Sequence, residues 1–278
     1  MAVTIRKLAE PLLAEVLGVD IARPVADHDM AAIEAAFLDH HVLVFRDTPL
    51  TPPQFLAFSR RFGDLQPHKT KQYWHPEYDE IVMLTNLDKQ GNIDPFGAKR
   101  GVGWHTDLCY DEVPAKATIL HSQEIPTSRG DTLFANMALA YAAMPDDLKR
   151  RVEGRQASFR FGGRVELYRK ALSAADQAIP AVRHPAVRTH PDTGRRSVYV
   201  NPVHTMDFAD TDEAESQGLL REVFDWCGQE RFQARHRWRV GDTVIWDNRC
   251  LWHSATGDFP PDQRRVLMRT TVRGTPTF

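Results

Sequence analysis

Cysteine is scarce in this chain. Cys109, Cys227 and Cys250 are the only ones in 278 residues, an odd number without the spacing of a disulfide framework or a zinc knuckle. They read as small buried hydrophobes or free thiols. No apolar run approaches the length of a membrane span, and residues 1–7 lack a signal-peptide core. The expected setting is the reducing cytoplasm. Charge of one sign is missing too: 35 Lys and Arg against 37 Asp and Glu give a net charge of -2. A general binder of nucleic acid or acidic lipid would carry a strong basic excess, so neither partner is expected. Repeats, low-complexity tracts and long linkers are absent. Residues 1–278 are therefore expected to form a single domain with a sizeable core.

What is present is an ordinary globular balance, 42% hydrophobic and 26% charged, cut into patterned segments. Residues 29–40 read as an amphipathic helix with Ile33 and Phe37 on one side. Residues 42–45 are a short, wholly apolar strand. Thr51-Pro52-Pro53 starts a helix through Phe62, Thr51 capping and Pro52 suiting the first turn. Residues 81–84 and 117–120 read as strands. Residues 138–151 look helical with a break at Pro145-Asp146, and residues 211–227 form a helix with Leu219, Leu220, Val223 and Phe224 inward. The tail is strand-rich, over 232–239, 243–246 and 266–272. Many strands in both halves argue against a doubly wound parallel sheet. They fit a mainly β chain with flanking helices (α+β), a distorted jelly roll whose two antiparallel sheets close on a pocket.

The chemistry-bearing stretch is Gly103-Trp104-His105-Thr106-Asp107. On an extended strand alternate residues share a face, so His105 and Asp107 would point at one ion and Thr106 away. With 12 histidines in the chain such a pair arises easily by chance, and alone it reads as a surface strand with polar residues facing water. Its partner is the C-terminal run Trp246-Asp247-Asn248-Arg249-Cys250-Leu251-Trp252-His253, followed by Gln263-Arg264-Arg265. Two imidazoles and one carboxylate on one face of a metal describe the facial triad of non-heme Fe(II) oxygenases, with the opposite face open. The segment 89–102, rich in Gly, Asp and Lys, ends just before the pair. It reads as a loop at the site entrance or as a plain solvated connection, and both readings stand.

These motifs, with the run from Ser128 to Phe134 between them, make the chain resemble the taurine dioxygenase / 2,4-dichlorophenoxyacetate dioxygenase family of Fe(II)- and 2-oxoglutarate-dependent oxygenases. The resemblance covers most of the sequence. It implies a double-stranded β-helix core and Fe(II) held by His105, Asp107 and His253. It also implies a 2-oxoglutarate carboxylate clamped by an arginine, because a planar guanidinium offers paired donors. Family spacing points to Arg264. The Gln-Arg-Arg context favours Arg265, with an insertion among residues 258–262. Thr132 matches a threonine on the same carboxylate, although a plain strand threonine reads the same way.

Arg269 and His68 match residues that bind the acidic group of the substrate. His204 stands where a pocket aromatic is found, making the pocket more polar or more basic, and Gly101 stands where taurine dioxygenase has an asparagine. These two departures argue against taurine itself. Tyr73, Trp74 and Phe159 could wall the pocket or belong to the core, and Trp104 and Trp252 could shield the metal or pack in the barrel. Residues 247–249 read as a turn network that positions the strand carrying His253.

The expected activity is hydroxylation, since related halogenases replace the metal carboxylate and Asp107 keeps it. The substrate would be a small organic anion: a sulfonate, sulfate ester, phosphonate or aryloxy or alkyl carboxylate. Dioxygen is consumed, with succinate and CO2 as co-products. The family further implies a homo-oligomer, a dimer or tetramer. Two other classes fit the ligands less well. A zinc hydrolase would need a general base and leaves the Arg265–Thr132 clamp unexplained. A jelly-roll sensor with a structural metal would close its site with four ligands, and only three are found.

Overall fold

The wholly apolar run Val42–Phe45 lies in the middle of a sheet, where four consecutive buried residues belong because both faces are covered. Its side chains alternate between two cores. Leu43 and Phe45 join an apolar cluster with Ile33, Phe37, Phe55 and Phe58 of two helices. Val42 and Val44 join a different cluster on the opposite face. The helices are Asp27–His40 and Pro52–Ser59. The second begins with a capping box between Thr51 and Gln54 and tightens after Ser59 into a 3-10 turn, Arg60–Phe62, inside the stretch expected to be α-helical. The computed structural model describes residues 2–69, 71–88, 90–94, 97–170 and 172–278.

The large sheet has seven strands in the order Thr4–Lys7, Ala14–Leu17, Val42–Phe45, Thr243–Asp247, Ala115–Glu124, Val266–Arg273 and Val82–Thr85. Its neighbours are antiparallel except for Ala14–Leu17 beside Val42–Phe45. A second sheet, Gln233–His236, Thr132–Asn136 and Leu251–Ala255, stacks on the inner face. There Phe134, Ala234 and Leu251 share one cluster with Val44, Leu120, Val244 and Leu267. Two sheets, antiparallel but for that one pair, packed around an enclosed space with helices outside are the expected jelly roll. A third apolar cluster fills the space between the sheet Gln156–Phe159, Val182–Pro185 and Thr205–Phe208 and the helices Met137–Ala142, Asp146–Val152 and Glu213–Cys227.

Several boundaries moved. The strand expected over 117–120 runs Ala115–Glu124, because it is flanked by a partner on each side and carries polar residues inward at His121 and Ser122. The strand expected over 232–239 is only Gln233–His236, and the chain then bends through Gly241 at φ 83°. The short strands between Gln156 and Phe208 have mixed polarity and little alternation, and their pairing comes from tertiary contacts. All three cysteines are buried and free. Among the described residues, no helix is long and apolar enough to cross a membrane.

Ile245 sits on the central strand with 0% exposure, facing the two outer helices. Ile245→Ala leaves a cavity that rigid neighbours cannot close, at a cost of about 2–5 kcal/mol. Urea unfolding should show a lower midpoint at an unchanged m-value, and an unchanged midpoint would refute this placement of the core.

Candidate metal centre and its cavity

The pair His105/Asp107 does not lie on a regular strand, contrary to the expectation. His105 forms an isolated antiparallel bridge with His253, through N–H···O bonds of 3.0 and 2.9 Å, and the chain turns at Asp107. Two distant motifs are thus joined by their own backbones. Thr106 points away and donates to the Leu251 carbonyl at 3.1 Å. His105 Nδ1 lies 2.7 Å from the Gly103 carbonyl, so Nδ1 carries the proton and Nε2 presents a lone pair inward. His253 Nε2 approaches Asp107 Oδ2 at 3.4 Å, and His105 Nε2 stands 4.0 Å from Oδ1. One ligand atom from each of the three residues lies within 4.8 Å of the others. Packing orients the His253 ring, with Trp246 at 4.7 Å and Phe134 at 6.5 Å between centroids.

Asp107 is 7% exposed, and burial by itself would raise its pKa. Arg269, both imidazoles and the Thr118 hydroxyl outweigh that penalty and hold it ionised, well below the usual range. Thr118 Oγ1 donates to Asp107 Oδ2 at 2.6 Å, and Arg269 Nη2 lies 3.2 Å from Oδ1. Asn248 donates to Thr118 Oγ1 at 2.9 Å while accepting from the Trp246 indole at 3.1 Å and the Asp107 amide at 3.4 Å. The turn at residues 247–249 therefore orients Asp107 as well as anchoring the start of the His253 strand. Nothing in the sequence singles out Thr118, which becomes a partner only through strand pairing.

The three ligands open into a cavity of about 580 Å³. Every predicted site residue lines it: His68, Thr132, His204, Arg265 and Arg269 join the triad. Arg264 points outward, paired with Glu124 at 2.8 Å. Arg265 points inward, its Nε buried without a hydrogen-bond partner, and among the described residues no carboxylate lies within salt-bridge distance. Burial pulls its pKa down to about 10 against the attraction of Asp131. Thr132 Oγ1 accepts from the Trp238 indole at 3.0 Å, which leaves its own proton for an acceptor in the cavity.

Three expectations change. Burial, reinforced by His105, lowers the pKa of His204 to about 3, so this ring adds polarity to the pocket and no positive charge. Arg269, expected to face the substrate's acidic group, shares its charge with Asp107. Of the aromatic wall, Tyr73 lines the cavity, whereas Phe159 is fully buried in the third core cluster and Trp74 lies outside the lining. Phe161, Tyr110 and Tyr168 line it instead. Trp252 is core, with Trp104 packed against the same cluster. Residues 97–102 of the segment 89–102 contribute Gly97, Arg100 and Gly101 to the wall, which favours the entrance reading; Lys89, Pro95 and Phe96 fall outside the described residues.

His41, Asp247 and Cys250 also cluster closely enough to share an ion. Both carboxylate oxygens of Asp247 are already taken by Arg249, at 2.8 Å each, and His190 adds a contact at 2.9 Å. That cluster is a buried ion-pair network. The His105, Asp107 and His253 set differs in facing open space, with imidazoles held neutral by burial beside an ionised carboxylate.

A sequence model described as the taurine catabolism dioxygenase TauD, TfdA family matches residues 4–271. The chain is 33% identical over 283 residues to the alpha-ketoglutarate-dependent 2,4-dichlorophenoxyacetate dioxygenase of Cupriavidus pinatubonensis, covering 98% of each. It is also 33% identical over 279 residues to the (S)-phenoxypropionate/alpha-ketoglutarate-dioxygenase of Sphingobium herbicidovorans, covering 95% of this chain and 92% of that one. Among solved structures, AAD-2 in complex with Mn(II) and N-oxalylglycine matches with a TM-score of 0.86 at 28% identity, covering 100% of this chain and 99% of the other.

The buried histidines set a pH dependence. Burial lowers the pKa of His41 and His121 to about 4 and that of His204 to about 3, from 6.5. Below 6.5 the unfolded chain takes up protons that the folded chain refuses, so stability falls as pH drops through that window. Each contributes on the order of 1–2 kcal/mol between pH 7 and pH 5. Metal-free protein should show a lower urea midpoint at pH 5 than at pH 7.5, and a flat profile would mean these rings are protonated in the fold.

Proposed function

The chain belongs to the taurine catabolism dioxygenase TauD, TfdA family, and from that premise we propose that it is an Fe(II)- and 2-oxoglutarate-dependent dioxygenase hydroxylating a small organic anion. The observation that carries this reading is a pairing inside one cavity. Three metal-competent ligands converge beside an inward arginine whose buried Nε has no protein partner. A zinc hydrolase or a structural metal site has no use for that second feature.

In this proposal His105, Asp107 and His253 hold the iron, leaving the cavity side for 2-oxoglutarate and dioxygen. The bound iron and co-substrate supply the oxidative chemistry, with succinate and CO2 as co-products. The protein's part is orientation and exclusion of water. Arg265 and the Thr132 hydroxyl receive the distal carboxylate, the guanidinium offering the planar paired donors such a group requires. Thr118 and Arg269 keep Asp107 ionised and aimed. Arg269, His68 and His204 face the space left for substrate, and His204 does so as a neutral hydrogen-bonding ring. Tyr73, Phe161 and Tyr168 give that space apolar walls suited to the body of an organic acid.

The family match over residues 4–271 supports a single oxygenase domain for the whole chain. Three buried free thiols fit a reducing, cytoplasmic setting. Assembly as a dimer or tetramer is carried over from the family resemblance alone.

Anaerobic titration of Fe(II)-loaded protein with 2-oxoglutarate should produce the weak visible charge-transfer band of the chelate. A folded, iron-loaded sample without that band would refute the reading. Arg265→Ala should raise the half-saturating 2-oxoglutarate concentration by about thirtyfold or more, as loss of one partner from a buried charge pair does. Arg264→Ala should leave it nearly unchanged, and the reverse result would exchange the two roles.

A further inference from the structure

His204 lines the cavity beside the metal ligands, its ring meeting that of His105 edge to face at 6.0 Å between centroids. His204 Nδ1 lies 3.2 Å from the Arg160 carbonyl oxygen. A carbonyl oxygen only accepts, so Nδ1 carries a proton. Among the described residues no carboxylate lies within salt-bridge distance of this buried ring, and a buried imidazole without such a partner stays neutral near pH 7. Nε2, on the far side of the ring from the Arg160 bond, therefore presents a lone pair. It has no hydrogen-bond partner among the described residues, the hydroxyl of neighbouring Tyr110 included.

The chain around it holds that lone pair in place. The His204 amide donates to Asn201 Oδ1 at 2.9 Å, and the Arg160 amide donates to the His204 carbonyl at 3.1 Å. Arg160 thus grips His204 twice, by its amide on the main chain and by its carbonyl on the ring. Tyr110 meets the ring at 4.9 Å between centroids with the planes 61° apart, which resists rotation of the imidazole. Gly163, at φ 57°, packs so closely on the residue before His204 that a Cβ would meet the Val203 carbonyl oxygen at 2.0 Å. An acceptor mounted this rigidly beside the triad suits recognition close to the reacting carbon. An ether oxygen set against it would oppose lone pair to lone pair, whereas an N–H or O–H would satisfy it.

We propose that His204 is a specificity-determining residue whose Nε2 accepts a hydrogen bond from the substrate, selecting organic acids that carry an N–H or O–H close to the carbon to be hydroxylated over acids with an ether oxygen there. The assignment rests on the dioxygenase reading and deepens it. To an acid group and an apolar body it adds a third requirement, a neutral donor near the metal ligands.

The test compares two acids of the same shape, N-phenylglycine and phenoxyacetate. They differ at one position, an N–H in the first and an ether oxygen in the second, and the anilinic nitrogen is uncharged near neutral pH. Each is titrated under anaerobic conditions into Fe(II)-loaded protein with 2-oxoglutarate, and binding is read by calorimetry and by the shift of the chelate band. Wild-type protein should bind N-phenylglycine about tenfold more tightly, because the ether leaves a buried acceptor unpaired. His204→Phe should bring the ratio to about one, chiefly by weakening N-phenylglycine. His204→Gln, whose amide both donates and accepts, should bind the two acids within about threefold of each other, and it serves if the Phe variant does not fold. Equal binding of the two acids by wild-type protein, tighter binding of phenoxyacetate, or binding of neither would overturn the assignment. A preference that survives in both variants would overturn it too, by placing the discrimination elsewhere. Absence of the chelate band strikes the dioxygenase reading instead, because the calorimetric preference still reports on His204.

Discussion

Asp107 is a carboxylate that must stay ionised while nearly excluded from water, and much of the site is arranged around that requirement. An isolated buried carboxylate would take up a proton. Here the Thr118 hydroxyl, the Arg269 guanidinium and two imidazoles surround it. Thr118 comes from the strand Ala115–Glu124, Arg269 from Val266–Arg273, and His253 from Leu251–Ala255 in the second sheet. The charge is therefore stable only when both sheets are assembled around it. Asn248 extends the arrangement, linking Thr118 to the indole of Trp246 on the central strand.

The same sheets supply rigidity through simple alternation. Val42 and Val44 face the enclosed core while Leu43 and Phe45 face the helices, so a side chain on one of these strands cannot rotate into the other layer without a register slip. Val244 and Trp246 follow the same rule beside them, and Trp246 reaches the His253 ring. His253 is thus held by a strand whose packing has little freedom, with His105 bridged to its backbone, while part of the cavity wall comes from residues 97, 100–101, 161–162, 168 and 172–173 outside the two large sheets.

Charge within the cavity is distributed unevenly. Arg265 has no carboxylate partner among the described residues, whereas Arg269 is shared with Asp107. His204 adds a neutral ring to the same lining.

The reaction class and the candidate ligand set were legible in the order of amino acids alone. His105, Asp107 and His253 stand in motifs whose residue types metal chemistry restricts tightly, and the apolar run at residues 42–45 and the capping signal at Thr51 announce their elements locally. The choice of Arg265 over Arg264 was legible only as a preference, because adjacent residues on a strand differ solely in the face they take. Pairing of Arg264 with Glu124 outside and the inward turn of Arg265 settle which one meets the cavity. Thr118, Phe161 and Tyr168 carry no local signal at all. Each acquires its neighbours through strand register or loop apposition between segments far apart in the chain, and such contacts exist only once the two sheets have closed.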